Sequence, residues 1–190
     1  MNVISTSLYT FKNFRDLTES ESDEVLQGRN DPQVRHWMTS ELPIALDEHQ
    51  RFVSGLKSND TAVYVRIERA GCFVGVYSLN EIADGSAVGG FWVTAYARER
   101  LLPLNVVFQG MNYMFGVHGI GRIQACQKRE NHGAIKLNAL LGISLSESNS
   151  SYGDGMQHVE ITRQHWEQKT TQDAQLLKLM TRMEKLNGTT

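Results

Sequence analysis

Hydrophobic and polar positions alternate in the middle of the chain and recur at helical spacing on either side. Ala62–Glu68 and Cys72–Leu79 are rich in Val, Tyr, Ile and Phe, residue types that fit a pleated surface, and read as neighbouring strands. Ala70–Gly71 between them predicts a hairpin turn. A second turn at Asp84–Gly85 leads into a strand over Val88–Thr94. Upstream, Leu8–Phe14 reads as a first strand. Thr18–Glu19–Ser20–Glu21 has the capping-box pattern, so a helix starts there and stops near Gly28. Asn30–Asp31–Pro32 is a turn, because proline drives its predecessor out of helical angles. A short helical segment follows at Val34–Met38. Asp47–Leu56 makes another helix, with Phe52, Val53 and Leu56 on one face.

Downstream, Pro103 suits the first turn of a helix over Leu104–Val117. Arg122–Lys128 reads as a strand, Gly133–Leu141 as a helix stopped by Gly142, and Met156–Thr162 as a last strand. From Thr170 onward, Leu176, Leu177, Leu179, Met180, Met183 and Leu186 are spaced as on an amphipathic helix. That helix is expected to pack on its own domain; a homodimer contact is the alternative. Hairpin-linked strands come first and helix crossovers later, which predicts an α/β domain with a mixed sheet. The expected organisation is one domain over residues 1–166 and a helical tail over 167–190.

Composition narrows the partners. The 190 residues suit a single domain. A net charge of -2 argues against nucleic acid as a partner. Arg98, Arg100, Arg122, Lys128 and Arg129 read mostly as a solvated mixed surface. Cys72 and Cys126 both fall in strand-like stretches and read as reduced thiols; no zinc spacing is present, and no metal is expected. No stretch approaches the roughly 20 apolar residues that span a bilayer. Met1–Ser7 lacks a basic region followed by an apolar run, so a cytoplasmic protein without a secretory signal is expected.

Three stretches carry a family resemblance. They are Gly90–Phe91–Trp92–Val93, then Arg122–Ile123–Gln124–Ala125, then Asn131–His132–Gly133–Ala134–Ile135–Lys136–Leu137 ending in Leu141–Gly142–Ile143. In order and spacing they resemble the GNAT superfamily over residues 7–166. The resemblance implies a mixed central sheet with helices on both faces. It also implies two parallel strands splayed apart, with acetyl-CoA as cosubstrate in the gap. Arg29–Asn30, Val34–Arg35, Trp37–Met38, His49 and Phe52 add a narrower resemblance, with Val159–Thr162 and Trp166 fitting loosely. It is to the amino-sugar N-acetyltransferases of pseudaminic acid biosynthesis, which acetylate the 4-amino group of a UDP-linked dideoxy sugar.

The implied chemistry needs a neutral amine, a stabilised oxyanion and a protonated leaving thiolate. No covalent enzyme intermediate is required, so neither cysteine has to be a nucleophile. Holding two reactants in line supplies much of the acceleration. Backbone amides at Trp92, Val93 and Thr94 are expected at the thioester carbonyl. Related pyrophosphate loops are glycine-rich so that the backbone can approach the phosphates. Here the stretch is Arg98–Glu99–Arg100–Leu101–Leu102–Pro103–Leu104, with Glu99 and Leu101 at the glycine positions. Arg98, Arg100 and Leu102 are the expected contributors there, and Asn131 and Ala134 those along the pantetheine arm.

The remaining candidates surround the acceptor. His49 titrates near neutrality and is expected as a base or donor on the nucleotide sugar; a helix-packing histidine is the plain alternative. Arg29 suits a phosphate of the acceptor, or a structural ion pair. Trp37 and Met38 offer an apolar wall, with Asn80 and Trp92 completing the acceptor set; core packing is the common fate of such residues. Glu81 follows a strand end and is a candidate general base through water, or a solvated loop residue. Asn138 stands where related enzymes carry a tyrosine acid, and an amide cannot deliver that proton; Tyr113 and Tyr152 are other candidates. A nucleotide-sugar enzyme predicts that Arg29, His49 and Trp92 converge. A protein N-terminal or polyamine acetyltransferase predicts an open, often acidic groove. A binder of this fold without turnover predicts an obstructed phosphate loop.

Overall fold

The computed structural model describes residues 3–6, 8–146 and 155–187. The described strands form one eight-stranded sheet in the order β1-β2-β3-β4-β5-β6-β8-β7. These are β1 (Val3–Thr6), β2 (Tyr9–Asn13), β3 (Val63–Arg69), β4 (Cys72–Ala83), β5 (Ser86–Val93), β6 (Arg122–Lys128), β7 (Ser144–Leu145) and β8 (Met156–Thr162). The helices are α1 (Glu19–Asn30), α2 (Pro32–Arg35), α3 (Leu46–Leu56), α4 (Ala95–Glu99), α5 (Pro103–Val117), α6 (His132–Leu141), α7 (Arg163–Gln172) and α8 (Ala174–Asn187).

Local chemistry explains most boundaries. Thr18 closes a full capping box with Glu21 at the start of α1. Asp31 then caps α2 through Gln33 N–H at 2.7 Å, and Pro32 opens that helix. The short helix therefore begins and ends earlier than the expected Val34–Met38. The β3–β4 and β4–β5 hairpins turn on Ala70–Gly71 (φ 49° and 78°) and Asp84–Gly85 (φ 49° and 73°). Two consecutive residues at positive φ match the right-handed twist of the flanking strands. Gly142 ends α6 at φ 76°, a conformation glycine adopts without steric cost.

One buried cluster runs from Phe11, Ile67 and Tyr77 through α5 to Trp166, Leu176 and Met180. The amphipathic tail thus packs on the chain's own core, with Leu176 only 1% exposed. A smaller cluster under α1 and α3 gathers Phe14, Val25, Leu56, Ala62 and Val76. Helices therefore cover both faces of the sheet, as expected. Leu186 and Tyr152 lie where the described side chains do not reach. Strands β1 and β7 and helices α4 and α7 are elements that the hydrophobic pattern did not predict.

All neighbouring strands are antiparallel except β5 and β6. Their parallel pairing runs through Ser86↔Arg122 and Ala87↔Ile123 and ends at Val88↔Gln124. Beyond it, β5 stays paired with β4 as far as Val93, and β6 with β8 as far as Lys128. The sheet therefore opens into a wedge between two half-sheets, and the functional site is built around it.

Candidate active site

A cavity of about 560 Å³ fills the wedge. Gly89–Val93 form one wall, and Ile123, Ala125, Cys126 and Gln127 the other. Helix α5 closes one side with Pro103, Val107, Met111 and Met114, and α6 adds Asn131, Gly133, Ala134, Leu137 and Asn138. The segment after α2 brings Trp37 and Met38 to the cavity, beside Trp92.

The wall supplied by β5 has a defined polarity. The register from Gly75↔Val93 to Asn80↔Val88 is unbroken, and Thr94 N–H continues it by donating to Val74 O at 3.0 Å. Antiparallel pairs alternate between bonded and non-bonded residues. Gly90 and Trp92 therefore turn their N–H and C=O groups toward β4, whereas Gly89, Phe91 and Val93 turn theirs the other way. The Gly89 N–H closes the last parallel pair on Gln124, and Phe91 and Val93 face the open wedge. Of the three amides expected at the thioester, only that of Val93 faces the gap. The Thr94 amide is held by Val74, and its hydroxyl caps α4 by accepting from Ala97 N–H at 3.2 Å.

The phosphate-loop stretch is a closed turn between α4 and α5 whose amides are bonded back onto α4. N–H groups of Arg100, Leu101 and Leu102 donate to the carbonyls of Tyr96, Arg98 and Ala97 at 3.3, 3.0 and 2.9 Å. Leu102 is 1% exposed and belongs to the core. The Arg100 guanidinium lies 4.0 Å over the Tyr96 ring, away from the cavity. Neither residue presents the contact expected of it, because α4 consumes these amides in its own last turn. Leu101 takes φ 55°, so the backbone there keeps a shape that glycine favours. Pro103 has no N–H, which leaves the amides of Leu104 and Asn105 at the start of α5. Arg98 does line the cavity, held by Nη1 to Val93 O at 2.9 Å and by Nη2 to Gln33 at 3.2 Å.

Asn131 caps α6 by accepting from Ala134 N–H at 3.0 Å, and both residues line the cavity. Asn138 lines it too, but its amide donates to Gln127 at 2.8 Å. Tyr113 is stacked on Phe11 in the core, where burial pushes its phenol up and weakens it as an acid.

The packing places four acceptor-side candidates outside the cavity lining. His49 is 5% exposed and bonds Ser22 of α1, outside the cavity lining. Burial holds its pKa below the ordinary value, against the opposing bond to the Ser22 carbonyl. Arg29 donates to Ser40 O at 3.2 Å and also stays outside the lining. Asn80 accepts from Tyr64 Oη at 2.8 Å. Glu81 is exposed at φ 52° in a β4 bulge, with its side chain in solvent rather than at the wedge. Helix packing and bulge geometry decide these directions, and neither is written in residue type.

Several lining residues carry no sequence signal of their own. Val107, Met111 and Met114 have the spacing of any core-facing helix, so nothing separated cavity from core. Phe91, Cys126, Gln127 and Glu160 also line the cavity. Burial pushes the Cys126 thiol up, which keeps it neutral. Glu160 and Arg98 are the charged lining residues among those described. Arg122 and Ser146 hold the Glu160 carboxyl below its ordinary value by hydrogen bonds that outweigh burial.

Residues 13–144, more than half of the chain, match the family described as Acetyltransferase (GNAT) domain. The chain belongs to the GNAT acetyltransferase family. It is an N-acetyltransferase that draws its acetyl group from acetyl-CoA. Among solved structures, Campylobacter jejuni N-acetyltransferase PseH in complex with acetyl coenzyme A is 18% identical with a TM-score of 0.63. The match covers 82% of this chain and 99% of that one. Vibrio cholerae spermidine N-acetyltransferase, in complex with CoA and spermine, is 16% identical with a TM-score of 0.73, over 85% and 99% of the two chains. RimL, a ribosomal L7/L12 alpha-N-protein acetyltransferase in complex with coenzyme A, is 14% identical with a TM-score of 0.67, over 85% and 98%. Likeness at these identities establishes the shared fold.

Proposed function

We propose that the protein acetylates a primary amine carried by a UDP-linked amino-deoxy sugar, in the cytoplasm. The observation that carries this reading is the convergence of Trp37, Met38 and Trp92 on one cavity at the wedge. Flat apolar walls suit a nucleobase or a deoxysugar methyl. A polyamine would call for several free carboxylates, and Glu160, the one lining carboxylate among the described residues, is already engaged by Arg122. Arg29 and His49 play no direct part in holding the sugar on this reading.

The wedge fits the pantetheine arm. Its amides and carbonyls match the wedge-facing N–H and C=O of Phe91 and the N–H of Val93, much as a peptide adds to a sheet edge. The pyrophosphate end is sparser and rests on the Leu104 amide at the start of α5 and on Arg98. Acetyl-CoA supplies an activated acyl group. The chain aims the Val93 N–H where negative charge develops on the carbonyl oxygen, and the Phe91 N–H, two residues back on the strand, lies along the pantetheine arm. It also excludes water with Phe91, Met111 and Met114 and presents the amine from the Trp37 side.

Thiol release from acetyl-CoA, followed with a UDP-linked 4-amino-dideoxy sugar, spermidine and a short unblocked peptide, tests the reading. The sugar should turn over at least a hundredfold more efficiently than the other two. A preference for spermidine or the peptide would sink it.

A further inference from the structure

The segment between α2 and α3, residues 36–45, has no regular secondary structure, yet its backbone is pinned by side chains from outside it. Lys128 Nζ donates to His36 O at 2.6 Å, and Arg29 Nη2 to Ser40 O at 3.2 Å. Arg35 Nη1 donates to Glu41 O at 2.7 Å, while its Nε holds Asn30 O at 3.0 Å. The Asn30 side chain pairs with Ile44 in both directions, Nδ2 to the carbonyl and N–H to Oδ1, each at 2.8 Å. Arg29, Asn30 and Arg35 approach from α1 and α2. Lys128 approaches from the far end of β6, across the wedge, and also pairs with the Glu41 carboxylate.

We infer that residues 36–44 form a lid over the acceptor side of the cavity, and that Lys128 and Asn30 are positioning residues that set acceptor specificity by fixing it. This rests on the reading that the acceptor enters beside Trp37 and Met38. A segment without a ladder of its own holds one shape only if its carbonyls find donors elsewhere, and these four side chains provide them. Lys128 has the largest effect because it ties the lid to the half-sheet that the other three do not touch. Its side chain is 16% exposed, so the tie is partly shielded from solvent screening. The Arg29–Asn30 pair, which carries the sequence resemblance, thus acts on the acceptor through the lid rather than by contact.

The test uses the full chain with 5-fluorotryptophan at Trp37, Trp92 and Trp166 and assigns Trp37 by its loss in Trp37→Phe. In Lys128→Met, the Trp37 fluorine resonance should move toward that of free 5-fluorotryptophan while the buried Trp166 resonance holds. The KM for the UDP-linked amino sugar should rise roughly tenfold, with the acetyl-CoA KM unchanged, and Lys128→Arg should restore both readouts. Glu41→Ala, which loosens the same tie from the exposed side, should move them in the same direction and serves if Lys128→Met does not fold. An unmoved Trp37 resonance overturns the lid. A moved resonance with an unchanged acceptor KM, or with both KM values raised alike, overturns its role in specificity. Failure of the wild type to use the sugar defeats the proposed acceptor instead, and the fluorine readout still decides the lid.

Discussion

His49 Nε2 lies 3.0 Å from Oγ and 3.1 Å from the carbonyl oxygen of Ser22, and this contact joins α3 to α1. The ring is buried and makes both bonds within the protein. His49→Ala should therefore cost about 1–3 kcal/mol of stability through a cavity and an unpaired serine. Acceptor and acetyl-CoA KM values should stay within about twofold of wild type. Thermal melting and steady-state kinetics on the same preparation check this; a selective rise in acceptor KM at unchanged stability would return His49 to the active site.

The same pair gives a pH dependence. Burial lowers the His49 pKa from its ordinary 6.5, so the unfolded chain takes up this proton before the folded one does. Stability from this group is then fully present above about pH 6.5 and falls as the pH drops below it, until the folded pKa is passed. Urea unfolding at pH 7.5 and 5.5 should show a smaller acid loss in His49→Gln than in wild type. An identical loss in both would contradict the assignment.

Leu101 sits at φ 55° and is 79% exposed. A left-handed L-residue costs roughly 1–2 kcal/mol, and glycine gives back about 0.5–1 kcal/mol in chain entropy. Leu101→Gly should thus raise stability by about 0.5 kcal/mol. Acetyl-CoA affinity should stay the same, because the neighbouring amides remain bound within α4. Denaturant midpoints and calorimetric titration decide it; a large gain in affinity would show that the α4 turn opens to phosphate once the side chain is gone.

Gly75 faces β5 so closely that a Cβ would lie 2.6 Å from the Trp92 carbonyl oxygen and 3.3 Å from Val93 Cα. Both neighbours are backbone and cannot rotate away. Gly75→Ala should push β5 into the wedge, lowering stability by about 1–3 kcal/mol and weakening acetyl-CoA binding with it. Melting curves with and without acetyl-CoA measure both effects, and a variant with wild-type values would show that β5 is free to shift.

Much of the fold was legible in local chemistry. Thr18, Gly142 and the two hairpin turns carry their signals in adjacent residues, and β6 and β8 fall on Arg122–Lys128 and Met156–Thr162 as their patterns predict. Helix α7 was not legible because Trp166 is its one buried residue and the rest is polar. Helix α4 is five residues of mixed character. At the site, Trp37, Met38, Trp92, Asn131 and Ala134 reached the cavity, whereas Arg29 and His49 did not. Those two sit on helices whose facing is decided by contacts with Ser40 and Ser22, far along the chain. The alternation that aims the Val93 amide into the wedge depends on the β4 register, which residue types do not specify.

The central claim is that acetyl-CoA lies along the unpaired edge of β5. Backbone amide exchange of the isotopically labelled protein, with and without saturating acetyl-CoA, tests it residue by residue. Binding should slow exchange at Phe91 and Val93 by at least about tenfold, since their N–H groups face the wedge. Trp92 and Thr94, whose amides are held by β4, should change far less. Equal protection of all four, or no change at millimolar acetyl-CoA, would contradict the account.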